Sequence, residues 1–183
     1  MKPQILYRRE FDHIKFGGHF RMLLKACIAK ESSRYAINGV KIDKDGFTAT
    51  NGRLLFNYAD TKHATQHGIY HLTSEGFGLL NVDAGNFPKW QSIVPKDKDV
   101  KSVYGVSGMS EHARHNIVYH LNRSGVVFRT DWALDVFARL DQLWAKKIVA
   151  YAYKEEPGTH PLVVRGEIKD VRFVYIQMPI MMS

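Results

Sequence analysis

Phe20, Leu23, Leu24, Cys27 and Ile28 recur at the i, i+3, i+4, i+7, i+8 spacing that gathers side chains on one stripe of an α-helix. A second stripe, Trp132, Ala133, Val136, Phe137, Leu140 and Leu143, stands far downstream. Between and around them the chain reads as short strands joined by turn residues. Two amphipathic helices, each set among hairpin-linked strands, predict an α+β fold with the helices gathered on one face of antiparallel sheets. The order strand, helix, strands occurs twice, so the halves are expected to be related by a pseudo-twofold axis.

In detail, strands are expected at residues 4–8, 35–42, 47–50, 54–58 and 69–72, and a helix at 20–31. Lys44-Asp45-Gly46 and Asn51-Gly52 have the chemistry of tight hairpin turns. Residues 73–110, rich in Gly and carrying Lys96-Asp97-Lys98-Asp99, read as an irregular connector. Beyond it, strands are expected at 117–121 and 126–129. Thr130-Asp131 then caps a helix over 131–143, because a hydroxyl and a carboxylate satisfy free backbone N–H groups. Strands at 147–153, 162–165 and 171–178 complete the chain, with a turn at Glu156-Pro157-Gly158. The 183 residues are read as a single domain with halves 1–72 and 111–183.

A formal charge of +8, from 26 Lys and Arg against 18 Asp and Glu, favours approach to polyanions such as nucleic acid. A lone Cys27 rules out an internal disulfide and fits a reducing compartment. With no signal core and no apolar run near the roughly 20 residues of a spanning helix, a cytoplasmic location is expected. No Gly-rich phosphate loop, Gly-x-Ser-x-Gly elbow or HExxH is present, so catalysis is not expected. Of the nine histidines, His63, His67 and His71 are spaced four apart, but Gly68 and a strand interrupt them. Neither a metal site nor a cofactor is expected.

Four separated segments resemble a known family. Arg34-Tyr35-Ala36-Ile37-Asn38-Gly39-Val40 with Thr48-Ala49-Thr50-Asn51-Gly52-Arg53-Leu54-Leu55 is similar to the RYxLNG…ATDGHRLA run of the bacterial DNA sliding clamps, the β subunits of DNA polymerase III. Phe87-Pro88-Lys89-Trp90-Gln91-Ser92-Ile93-Val94-Pro95 resembles that family's FPDYRRVIP segment. Residues 127–140 resemble a strand and helix of its last domain, and Tyr175-Ile176-Gln177-Met178-Pro179-Ile180-Met181 resembles its terminal VMPMR. There are departures. Asn51 stands for the family's Asp, Arg53-Leu54 for its His-Arg pair, and Lys89, Gln91 and Ser92 replace its polar cluster.

The resemblance implies a non-enzymatic, shortened clamp-like protein involved in DNA replication. It would bind linear motifs of DNA polymerases, clamp loaders or repair proteins in an apolar cleft. Carried over position by position, the implied peptide-binding residues are Thr50, Gly52, Arg53, Leu54 and Leu55, then Pro88 and Ile93, then Ile176, Met178, Pro179, Ile180 and Met181. Met-rich apolar grooves suit varied peptide partners. Clamp helices meet duplex DNA phosphates through basic side chains, which here would be Arg21, Lys25, Lys30, Lys146 and Lys147. Homo-oligomeric ring closure is one possibility. The alternative is a monomeric interaction or decoy module that keeps the fold without encircling DNA.

Overall fold

The computed structural model describes residues 5–7, 17–30, 37–62, 64, 67–73, 76–79 and 86–180. The chain divides into two compact units, Met1–Lys89 and Trp90–Ser183. The boundary falls inside the segment expected to be a connector.

The first unit contains β1 (Ile5–Tyr7), α1 (Gly17–Ala26), β2 (Val40–Asp43), β3 (Gly46–Thr50), β4 (Leu54–Tyr58), β5 (Gly68–Leu72) and β6 (Gly76–Leu79). Its strands run in the order β1-β6-β5-β2-β3-β4, each neighbour antiparallel. The hairpin turns form as their residues dictate. Asp43 Oδ1 accepts from the Asp45 N–H at 2.9 Å, and Gly46 sits at φ +95°, where any Cβ would collide with the Tyr58 carbonyl. Asn51 Oδ1 accepts from the N–H groups of Arg53 and Leu54 at 2.9 and 2.7 Å. Thr50 Oγ1 donates to the Leu54 carbonyl at 2.7 Å, which locks the β3–β4 register. Helix α1 lays Phe20 edge-on against Phe47, Phe56 and Tyr58, with ring centroids 4.9–6.4 Å apart. Burial pushes the Tyr58 phenol well above its ordinary range, with the Asp60 carboxylate adding to the shift.

The second unit contains β7 (Val100–Gly108), α2 (Glu111–Arg123), α3 (Thr130–Gln142), β8 (Lys146–Tyr153), β9 (Leu162–Ile168) and β10 (Val171–Gln177), preceded by 3-10 turns at Trp90–Ile93 and Asp97–Asp99. Its antiparallel order is β10-β9-β8-β7. Helix α2 packs on β7 and β8 and against α3. Phe137 of α3 meets Tyr175 of β10 edge-on at 6.1 Å. Gly166 leaves room for the Phe173 ring, since a Cβ there would lie 2.8 Å from it.

Several expectations need correction. Residues 117–121, expected as a strand, belong to helix α2. Ala113, Ile117 and Leu121 form its buried row, and the Ser110 hydroxyl caps it by accepting from the Ala113 N–H at 3.2 Å. Residues 126–129, also expected as a strand, have no regular pairing and lead directly into α3. The supposed connector holds the nine-residue strand β7. The expected strand at 35–42 is described only from residue 37 and is regular from Val40. No described helix is long and apolar enough to cross a membrane.

Candidate functional site

A groove of about 310 Å³ opens in the second unit. Ile93, Val94 and Pro95 form one wall, Met178 and Pro161 face into it, and Ser92, Lys96, Asp99 and Tyr153 supply its polar positions. Five of the nine lining side chains are aliphatic, proline or methionine. Ile93 and Met178 are 37% and 38% exposed, unusually open for residues of their kind.

The walls are held from behind. Arg165 on β9 donates to the Pro95 carbonyl at 3.0 Å and pairs with Asp97 at 2.5 Å, and its guanidinium stands 5.1 Å over the Tyr151 ring. Lys154 fixes the next residues, its ammonium donating to the Lys98 carbonyl at 2.7 Å and its N–H to the Asp99 carbonyl at 3.0 Å. At the other wall, buried Gln177 donates to the Arg129 carbonyl at 3.0 Å and accepts from the Tyr175 hydroxyl at 2.8 Å. Gln177 thereby fixes the end of β10, from which Met178 projects. Tyr153 stacks on His160 at 4.2 Å, and burial, followed by the nearby Asp99, pushes its phenol above the ordinary value. The groove is open to solvent, with apolar walls interrupted by polar positions.

Of the expected peptide-binding residues, Ile93 and Met178 line this groove. Ile180 is 40% exposed and Pro179 half-buried just beyond it in sequence, while Ile176 is buried in β10. Thr50, Leu54 and Leu55 are buried in the first unit, Gly52 and Arg53 are exposed at its hairpin, and Pro88 is half-buried. Met181 lies outside the described residues. Pro161, Tyr153 and Asp99 line the groove without having been anticipated, because no spacing in the sequence links them to Met178.

The expected DNA-facing cations differ among themselves. Arg21 donates to the Thr73 carbonyl at 2.8 Å, whereas Lys25 and Lys30 extend into solvent. Lys146 pairs with Asp170 at 2.7 Å and Lys147 with Glu167 at 2.9 Å. The hydrogen bond to Asp170, helped by its charge, holds the Lys146 ammonium above its ordinary pKa, and the same bond lowers that of Asp170. Among the described residues, no group of three or more His, Cys, Asp or Glu is placed to hold a metal ion.

The α+β architecture, antiparallel sheet with helices on one face, is that of the DNA sliding clamps. Two solved structures carry the likeness. The DnaN sliding clamp of Bartonella birtlesii, bound to griselimycin, matches 98% of this chain and 66% of its own at TM-score 0.55 and 14% identity. The DNA polymerase sliding clamp of Pseudomonas aeruginosa matches 99% of this chain and 67% of its own at TM-score 0.53 and 14% identity. This chain thus spans about two thirds of each clamp, and the likeness is one of fold. No family model matches the sequence, and no curated protein does.

Proposed function

We propose that this protein is a non-enzymatic, sliding-clamp-like factor of DNA replication or repair. On this reading the chain works as one clamp-like module in the cytoplasm and captures short apolar motifs of polymerases, clamp loaders or repair proteins. The observation that carries the reading is the open groove between Ile93–Pro95 and Met178. Its sequence elements are those that resemble the clamp family's peptide cleft, and its position lies within a clamp-like fold. A Leu or Phe side chain buried there contributes about 1.5–3 kcal/mol before ordering costs, which sets a micromolar scale for a short peptide.

A second reading has its own support. The pairing of Lys146 and Lys147 with Asp170 and Glu167 removes two cations from any phosphate-tracking surface. That favours an interaction or decoy module over a DNA-encircling ring. Both readings share the groove, so the groove is the first thing to test. Titration with a labelled peptide of the Gln-Leu-x-Leu-Phe type is expected to saturate in the micromolar range, with Met178→Asp weakening binding at least tenfold. Equal binding by wild type and Met178→Asp, or none by either at high micromolar peptide, would refute the cleft.

A further inference from the structure

Methionine is unevenly placed in this chain. Three of the six, Met178, Met181 and Met182, fall within residues 178–183, and the first of these forms part of the groove. Of the methionines whose side chains the structure describes, Met109 is 8% exposed, whereas Met22 and Met178 are 48% and 38% exposed. Met22 lies on α1 in the first unit, and Met178 alone of the three lines the groove. The backbone holds it there. Pairing of β10 with β9 runs to Gln177, which opposes Leu162, and the buried Gln177 amide is fixed by the Arg129 carbonyl and the Tyr175 hydroxyl. The Met178 thioether is therefore presented to solvent at a fixed place, in a wall that must stay apolar to take a Leu or Phe side chain.

Accessibility decides which thioether meets an oxidant in solution, and the sulfoxide that results is polar where the thioether was apolar. We propose that Met178 is a site of reversible oxidation by hydrogen peroxide, and that its sulfoxide closes the groove to apolar motifs. A sulfur lone pair attacks one peroxide oxygen, and the O–O bond breaks as the S–O bond forms. The other oxygen leaves as water after a proton shift, so sulfur is oxidised by two electrons and the peroxide is reduced by two. The reverse step takes a dithiol reductant, whose two thiols become a disulfide while the sulfoxide oxygen leaves as water. Lys96 and Tyr153 line the same groove and carry donors from which a sulfoxide oxygen accepts. An incoming Leu or Phe has no donor to offer in exchange, so seating it would bury an unpaired oxygen. The inference rests on the peptide-groove reading and names a regulation of that site.

The test needs no variant. The full chain, partly oxidised with hydrogen peroxide, is passed over an immobilised Gln-Leu-x-Leu-Phe peptide, and tandem mass spectrometry scores each methionine for sulfoxide in the retained and unretained fractions. Met178 sulfoxide is expected to be at least about tenfold rarer in the retained fraction, the size of one lost apolar anchor. Met22 sulfoxide, outside the groove, should divide equally between the fractions. Treating the unretained fraction with methionine sulfoxide reductase and dithiothreitol should return it to the retained pool. Equal division of Met178 sulfoxide overturns the proposal, as does a depletion of Met22 sulfoxide as deep as that at Met178. So does a Met178 that stays unoxidised while Met22 is converted, or protein that remains unretained once its Met178 sulfoxide has been reduced. Failure of the peptide to retain the untreated chain is a separate result, which refutes the groove reading and the switch with it.

Discussion

Helices α1 and α3 bury the same kind of stripe and differ in what they turn outward. On α1, Phe20, Leu23 and Leu24 are buried, and the charged residues are Arg21 and Lys25, with no carboxylate. On α3, Ala133, Val136, Phe137 and Leu140 are buried, but the charged residues are Asp131, Asp135, Arg139 and Asp141. Each of those aspartates has an arginine. Arg129 holds Asp131 at 2.6 Å, Arg139 holds Asp135 at 3.0 Å, and Arg114 stands 3.8 Å from Asp141. Helical periodicity specifies where a helix packs and leaves its outer face open to a separate choice. The net charge of +8 is therefore not spread evenly over the helices.

The likeness of the buried faces is the easier half of this comparison to break. Phe20→Ala and Phe137→Ala each remove a buried aromatic ring and are each expected to cost about 3–5 kcal/mol in chemical denaturation. A loss below 1 kcal/mol at either position would show that its stripe is not core. The unlikeness of the outer faces predicts a smaller, electrostatic effect. For binding to duplex DNA of arbitrary sequence, Lys25→Ala and Lys30→Ala together should flatten the slope of log K against log salt by about 1.8, at about 0.9 per phosphate contact. Lys147→Ala, already paired with Glu167, should leave that slope within experimental error. Equal effects from the two sets, measured by fluorescence anisotropy across a salt series, would erase the distinction. The smallest effect concerns α3 alone. Asp135→Ala breaks an i,i+4 pair with an exposed carboxylate and should change stability by about 0.3–0.5 kcal/mol.

How much of this was readable beforehand varied by element. The stripes of α1 and α3 showed because large apolar residues repeat at helical spacing without interruption. The Asp-Gly and Asn-Gly turns showed because their chemistry is local, and the structure uses their side chains and glycine backbones as expected. Helix α2 was misread because Ile117, Val118, Tyr119 and Leu121 crowd together in a run that resembles a strand. Its true signal was the four-residue interval Ala113–Ile117–Leu121 behind Ser110 and Glu111. Strand β7 was missed because Gly105 and Gly108 interrupt its alternation of side chains. In the groove, Ile93 and Met178 were legible only through family resemblance. Tyr153 comes to the site beside Asp99 because Val100 of β7 pairs with it, a link between distant segments that no local pattern carries.

The chain's three tryptophans all fall in the second unit. Trp90 is buried, Trp132 is half-buried with the Arg129 guanidinium 4.7 Å over its ring, and Trp144 is 72% exposed at φ 52° just after α3. Intrinsic tryptophan emission is therefore an optical signal from Trp90–Ser183 alone, and Met1–Lys89 is silent at that wavelength. Far-ultraviolet dichroism sums over both units. A melt followed by the two signals at once separates the second unit from the whole without a label, a truncation or a mutation, since coincident curves mark a single cooperative transition and displaced ones mark two.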